Sequence, residues 1–519
     1  MGIVVDYDLC TGCGDCVPKC THNAMRLNGK HLIVDNRFCV DCGICIDYCP
    51  SEALDLTENV VGDTHEEKEI DETGVDRVYI SPDNPCIMRL EGCNDCHSCV
   101  KTCRKRENKV QDENCNVCLG CGQCIHTCEK NVLKPKDSLP KVLDMLKSGR
   151  TCIAYTSPAT RVALGDPFGD KPGKNNEGKL VNALRKMGFR YVLDVNFAAD
   201  VTIMEEAAEL VERLKGNGKL PMFTSCCPSW VKYAEYFYPD ILDHISTCKS
   251  PIGMEGALID AYYCKQMNLN PDDIYTVAIT PCTAKKGEIR RKEITGTDDV
   301  LTIQELSEWI KENLDFNKLD QNDTFDSFMG TGSGAGAIFG NTGGVMEAAI
   351  RTAYHMITGE EIDVSLLKPL HGMGDRKEVT LDISGTTLKA VVINEMSNAI
   401  DVLDSVRSGT CEYQFIEIMN CRGGCIGGGG QPLLSEEDEF YVKKNRIESL
   451  YAKDQESRYR TSHSNPEVIA LYKKYLKTPG SEEAKKILHT VYTDRTDELK
   501  RLVALGPCPD GHKPKEDAN

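Results

Sequence analysis

The chain has 519 residues, 28 of them cysteine, with 61 basic against 80 acidic side chains and a formal net charge of −19. At roughly 100–200 residues per domain the length holds several domains, and the acidity argues against a nucleic-acid backbone or an anionic membrane as main partner. No apolar run reaches the ~18 residues that a membrane span needs, and the opening MGIVVDYD lacks a basic or long apolar leader; a cytoplasmic, reducing location is expected, where dense cysteine means metal rather than disulfides.

Eighteen of the cysteines precede residue 130, most of them in one repeated word, C-x2-C-x2-C-x3-C. It occurs at Cys10/Cys13/Cys16/Cys20, Cys39/Cys42/Cys45/Cys49, Cys93/Cys96/Cys99/Cys103 and Cys118/Cys121/Cys124/Cys128. Three thiolates three residues apart wrap three corners of an iron–sulfur cubane, and the fourth reaches the neighbouring cluster. Two words therefore make one two-cluster module, giving four accessory [4Fe–4S] clusters. The expected ligand sets are Cys10, Cys13, Cys16 and Cys49; Cys20, Cys39, Cys42 and Cys45; Cys93, Cys96, Cys99 and Cys128; and Cys103, Cys118, Cys121 and Cys124. Cys115 extends the last word by one step and is an alternative to Cys118. Zinc sites use separated C-x2–4-C pairs rather than four-cysteine words. The words resemble bacterial two-cluster ferredoxins, although Thr21 and Glu129 stand where proline often follows; only Cys49-Pro50 keeps it.

Residues 57–80 are acidic with little apolar periodicity, as in a linker. After Cys128 the composition turns to α/β usage, with strand-like runs at 151–155, 191–195, 222–224, 275–280 and 413–419 and helix-like stretches such as 179–187 and 203–214. This alternation predicts parallel βαβ sheets, whose ligand groups gather beyond the carboxyl ends of the strands. Three of those ends carry cysteine: TSCCPSW at 224–230, PCTAKKGE at 281–288 and EIMNCRGGCIGGGGQP at 417–432. Four cysteines from three loops would complete a fifth cubane, and the glycines suit a backbone pressed against sulfide or bent through positive φ. A phosphate loop would need a Lys-Ser/Thr ending, which is missing.

Those three segments resemble the signatures of [FeFe]-hydrogenases, over roughly residues 80–500. The resemblance implies α+β ferredoxin-like modules at 1–56 and 81–140, joined by the acidic linker 57–80. A two-lobed α/β catalytic domain follows at 141–435, with parallel sheets and the cluster between its lobes, then a helical extension at 436–519. It implies an H-cluster: a [4Fe–4S] cubane on Cys227, Cys282, Cys421 and Cys425, bridged by Cys425 to a two-iron subcluster with CO, cyanide and azadithiolate ligands. Lys285 matches the lysine that donates to a cyanide, and Ser157, Pro158, Phe339 and Met419 match pocket positions. Thr280, where familiar members have methionine, is placed in the same pocket. With Ile252 and Ala159 it resembles the group B branch.

The implied reaction is 2H⁺ + 2e⁻ ⇌ H₂. Cys226, by itself a small buried thiol, becomes the proton donor at the two-iron site. Glu206 and Glu209 lie three apart on one helix face and alone would read as a solvated acidic face; the resemblance places them with Ser246 in a chain Glu209–Ser246–Glu206–water–Cys226. Implied partners are ferredoxin or a similar carrier, H₂ and protons, and maturation proteins, with neither nucleic acid nor membrane. Lys101, Arg104, Lys105, Arg106 and Lys109 offer a docking patch or simply offset cluster charge. Cys86, Cys115, Cys152, Cys248, Cys264, Cys411 and Cys508 have no assigned role, and the 11 histidines form no metal-binding word. Other readings of the same signatures are a hydrogen sensor, an electron-bifurcating subunit and an iron–sulfur assembly factor.

Overall fold

The computed structural model describes residues 2–5, 9–20, 25–28, 31–34, 44–51, 53–57, 78, 80–94, 96–107, 117–434 and 438–504. Cys39, Cys42, Cys115, Cys508, Lys109 and residues 58–77 lie outside them, as do the side chains of Arg104, Lys105 and Arg106. Contacts divide the chain into two units, Met1–Gly74 and Val75–Asn519.

In the first unit β1 (Gly2–Val5) pairs antiparallel with β4 (Leu54–Thr57), and β2 (Met25–Asn28) with β3 (His31–Val34). Among its described residues, Ile3, Met25, Leu32 and Leu54 close around Cys16 and Cys45.

The second unit opens with the antiparallel pair β5 (Ile87–Arg89) and β6 (Leu133–Pro135), beside helix α1 (Ser98–Glu107). The rest of this unit carries two four-stranded sheets. The first has the order β11 (Asp299–Thr302), β10 (Ile274–Thr280), β7 (Thr151–Thr156), β8 (Tyr191–Asp194), all parallel. All seven residues of β10 are buried, as expected of a strand covered on both faces.

The second sheet has the order β12 (Arg376–Ile383), β13 (Thr386–Asn394), β14 (Phe415–Met419), β9 (Met222–Phe223). Here the expected parallel pattern is broken at one edge, because β12 and β13 form an antiparallel hairpin. Ser384 and Gly385 turn it, both with positive φ (53° and 85°), the conformation a two-residue hairpin turn requires. The strict exposed–buried alternation along β12 fits an edge strand with one wet face.

Helix α2 (Val195–Leu214) ties the sheets together. Phe197, Ala198 and Val201 join the core of the first sheet, whereas Ala199, Ile203, Ala207 and Leu210 join that of the second. Beyond α3 (Gly344–Thr358) and α4 (Glu439–Glu456), the C-terminal segment is helical, and Val468, Leu471, Tyr472, Leu476, Ala484 and Leu488 pack into the first core. No helix among the described residues is long and apolar enough to cross a membrane.

Candidate active site

The carboxyl ends of β9, β10 and β14 carry Cys226–Cys227, Cys282 and Cys421–Cys425 respectively. The thiols affect one another: burial, then the charges of Cys282 and Cys227, push Cys425 up to about 12. Burial pushes Cys282 up to about 11, with Lys285 opposing and Cys227 adding to it. Such a group of thiols becomes thiolate together only when a cation replaces their protons. The donor set therefore fits an all-thiolate iron–sulfur cluster.

Local hydrogen bonds fix each ligand loop. The Thr280 hydroxyl accepts from the Cys282 amide at 2.8 Å, so this side chain sets the loop after β10. Gly430 N donates to Pro281 O at 2.8 Å, joining that loop to the one after β14. Gln431 Nε2 donates to the Ala159 carbonyl at 3.2 Å, next to Ser157 and Pro158. Glu417, a buried carboxylate on β14, accepts from Gly343 N and Met346 N at 2.7 Å each and so caps α3. Phe339 and Met419 belong to one apolar cluster with Cys226 and Cys227 against it.

The glycine run bends through positive φ at Gly423 and Gly424 and also packs closely against protein. Gly424 has φ +88°, and a Cβ there would lie 2.5 Å from Thr342 N. Gly429 meets protein: a Cβ would lie 2.3 Å from Cys121 O and 2.5 Å from Gly122 Cα. The second cysteine-rich module thus docks backbone to backbone on the glycine loop. Gln123 Nε2 donates to Cys421 Sγ (3.3 Å) and Gly427 O (3.1 Å), and Thr283 Oγ1 donates to Gly120 O (2.6 Å). His126, held neutral by burial that lowers its pKa to about 4, donates Nε2–H to Gly428 O at 3.2 Å. Cys86 fills the space beside Gly120 and Gly287, whose Cβ atoms would fall within 2.7 and 2.9 Å of its sulfur.

Lys285 is buried with Glu288 at 2.9 Å and also donates to Cys226 O at 3.1 Å. Burial alone would depress its ammonium; the charges of Glu288 and Cys282 hold it above the ordinary lysine range. Along α2, Glu206 is fully buried and Glu209 reaches the rim. The Glu209 Oε2 accepts from Ser246 Oγ (3.2 Å), Thr247 N (3.0 Å) and Thr247 Oγ1 (3.1 Å), and Oε1 from Arg213 Nη2 (2.5 Å). Neither Glu206 carboxyl oxygen has a partner at hydrogen-bond geometry among the described residues. Burial, then the Glu209 charge, push it up to about 8, against the weaker pull of Ser225 N–H and the Ser246 hydroxyl. Burial and the Glu206 charge likewise raise the Cys226 thiol. Sequence reasoning missed Arg213, Gln123 and Glu417; of these only Arg213, four residues after Glu209, left a readable signal.

Among the accessory words, Cys93, Cys96, Cys99 and Cys128 line one cavity with Arg89 and His97. Cys16 is pushed up to about 11 by burial, with Cys49, Cys13 and Cys10 adding charge repulsion. Cys124 is raised by burial and then by Cys118 and Cys99. Cys20 and Cys45 lie in the first unit's core, but their expected partners Cys39 and Cys42 fall outside the described residues.

Residues 150–429 match the family described as "Iron only hydrogenase large subunit, C-terminal domain". The chain belongs to the iron-only, or [FeFe], hydrogenase family. Around this hydrogenase domain, residues 440–495 match "Iron hydrogenase small subunit", 9–54 a "4Fe-4S dicluster domain", and 90–106 with 116–131 a "4Fe-4S binding domain". The Periplasmic [Fe] hydrogenase large subunit of Nitratidesulfovibrio vulgaris is 47% identical over 305 residues, 57% of this chain and 72% of that protein. Protein NAR1 of Arabidopsis thaliana is 29% identical over 456 residues, 80% of this chain and 94% of its own length. The solved apo [FeFe]-hydrogenase HydA1 of Chlamydomonas reinhardtii superposes with TM-score 0.60 at 34% identity, covering 69% of this chain and 98% of that one. Across three hydrogenase relatives, at 39–47% identity, the chain spans 60–72% of their lengths.

Proposed function

We propose that this chain is a hydrogenase interconverting protons, electrons and H₂ at an H-cluster held by Cys227, Cys282, Cys421 and Cys425. The observation that carries the reading is the mutual charge effect of Cys227, Cys282 and Cys425 at three strand ends, with Cys421 on the same loop as Cys425 and with Cys226 and the buried Glu206 close by. When bound, the cluster supplies the iron chemistry of 2H⁺ + 2e⁻ ⇌ H₂. The protein's own residues deliver the protons: Glu209 collects them at the rim and Ser246 passes them inward. Glu206, with a carboxyl near 8, can hold or release a proton around neutral pH. Cys226 makes the last transfer. Lys285 supplies a fixed ammonium to an anionic ligand, while Ser157, Pro158, Phe339 and Met419 shape the pocket and Thr280 holds Cys282.

The sixteen word cysteines would hold four accessory clusters, which would supply a path for electrons, and the Gln123–Cys421 contact ties the second module to the active-site loop. Ferredoxin is the expected carrier, docking near Lys101 and the basic residues after it, in the cytoplasm. Maturation proteins install the two-iron unit. The likeness to the Cytosolic iron-sulfur assembly component 3 of Mus musculus, 30% identical over 413 residues, favours an assembly role as second reading. The Cys226–Cys227 pair with its acidic relay favours the enzyme, since cluster assembly needs no proton chain to a buried thiol.

The test is H₂ turnover with reduced ferredoxin in matured protein. Wild type turns over, and Cys226→Ala loses roughly 10²-fold or more. Full turnover in Cys226→Ala removes the relay; no turnover in wild type, with all clusters present, favours assembly or sensing.

A further inference from the structure

The segment after the last helix of the first core folds back over the outer end of the acidic chain. Thr490 N donates to Thr247 O at 2.7 Å, Lys249 N to Leu488 O at 2.8 Å, and the Tyr492 hydroxyl to Ser246 O. This brief antiparallel contact, with Cys248 facing His489, sets the His489 ring between two elements of the relay region. Its Nδ1 lies 2.7 Å from Thr247 Oγ1, and its Nε2 lies 2.9 Å from Glu205 Oε2. Glu205 is fully buried and adjoins Glu206 in sequence. It also accepts from the Tyr472 hydroxyl (2.5 Å) and Gly480 N (2.8 Å).

Two hydrogen-bond arrangements fit these distances. The Thr247 hydroxyl proton goes either to Glu209 Oε2 at 3.1 Å, in which case the Thr247 oxygen accepts from His489 Nδ1–H, or to His489 Nδ1 at 2.7 Å. In both, a proton lies between Nε2 and Glu205 Oε2, which stand 2.9 Å apart. The first arrangement therefore carries one proton more on the His489–Glu205 pair than the second, and that proton is aimed through a hydroxyl at the relay carboxylate.

We propose that His489, paired with Glu205, is a proton-loading group that feeds Glu209 through Thr247. The Nδ1 proton passes to Thr247 Oγ1 while the Thr247 hydroxyl proton passes to Glu209 Oε2. One proton has then left the pair for Glu209; the ring keeps the other on Nε2, with a lone pair on Nδ1. A water proton arriving at exposed Thr247 restores the starting state. This rests on the relay reading above, and it gives the C-terminal segment a part in proton supply that the cysteine ligands do not reveal.

The test uses matured full-length protein and compares wild type with His489→Ala, His489→Asn, Thr247→Val and Glu209→Gln. H₂ evolution should fall about tenfold in the first three, less than the 10²–10⁴ typical of a group acting at the reacting atom, because Glu209 keeps other routes to water. Imidazole in the buffer should restore His489→Ala but leave Glu209→Gln slow. Proton uptake after photoreduction, followed with an indicator dye, should slow in His489→Ala while electron delivery and the infrared bands of the cluster stay unchanged. Wild-type turnover and uptake in His489→Ala, with Glu209→Gln slow, would overturn the loading role and leave the relay standing. A slow His489→Ala that imidazole does not restore, beside a fully active His489→Asn, would reduce His489 to a structural support and overturn the proposal. Wild-type rates in Glu209→Gln would overturn the relay itself, and the loading role with it.

Discussion

Gln123 Nε2 stands 3.3 Å from the Cys421 sulfur and 3.1 Å from the Gly427 carbonyl, so a single amide of the second cysteine-rich module is bonded to two points of the active-site loop. A donor to a cluster thiolate stabilises the reduced, more negative state. Gln123→Leu should therefore shift the active-site cubane to a more negative reduction potential by on the order of tens of millivolts, read by a redox titration with electron paramagnetic resonance. An unchanged potential would show that the contact is only mechanical.

The mechanical side has its own test at Gly429. An alanine Cβ would fall 2.3 Å from Cys121 O, with backbone on the facing side and no flexible chain to yield. Gly429→Ala should cost about 1–3 kcal/mol by overpacking and slow reduction of the active-site cluster from the accessory module. Stopped-flow reduction and denaturant unfolding check both; wild-type values for each would mean that the two loops are not held together as described.

Lys285 and Glu288 form a buried pair at 2.9 Å, with the Ser250 hydroxyl donating to the same carboxylate oxygen at 3.0 Å. Removing only the lysine strands a buried carboxylate. Lys285→Met should destabilise the chain by about 3–5 kcal/mol, and adding Glu288→Leu should recover much of it. Stability recovered without recovery of the infrared bands of the two-iron unit would separate the cofactor role of Lys285 from its structural one.

Glu206 should make stability depend on pH. Its carboxyl titrates at about 8 in the folded chain, against ~4.3 for an unperturbed glutamate. Between those values the folded state binds more protons than the unfolded state, so stability falls as pH rises through that window. Glu206→Gln removes this contribution. Its unfolding midpoint should match wild type near pH ~4 and exceed it increasingly toward pH ~8, before levelling off above that. A difference that stays flat across that range would contradict a raised Glu206.

Much of this was legible because it is local. Cysteine words at fixed spacing state their chemistry directly, and the strands leading into Cys226, Cys282 and Cys421 are short apolar runs that end at the loops that matter. The β12–β13 hairpin departs from the βαβ periodicity that surrounds it, and its signals, Ser384-Gly385 and the alternation along β12, are short and local. Gln123, Glu417 and His489 could not be read at all. Gln123 and Glu417 stand inside segments the sequence marks, and His489 does not, but the roles of all three depend on partners 298, 74 and 242 residues away. The glycines of 427–430 mark the right loop in the sequence, but only the fold shows that the second module presses on Gly429.

The most direct test of the central claim is an infrared spectrum of the chain after maturation. Bands of iron-bound CO and cyanide are expected in wild type, absent from Cys425→Ala and retained in Cys226→Ala, whose cluster stays bound while its proton delivery fails. A matured wild-type chain that carries its [4Fe–4S] clusters yet shows no such bands would contradict the assignment of this site as a hydrogenase centre.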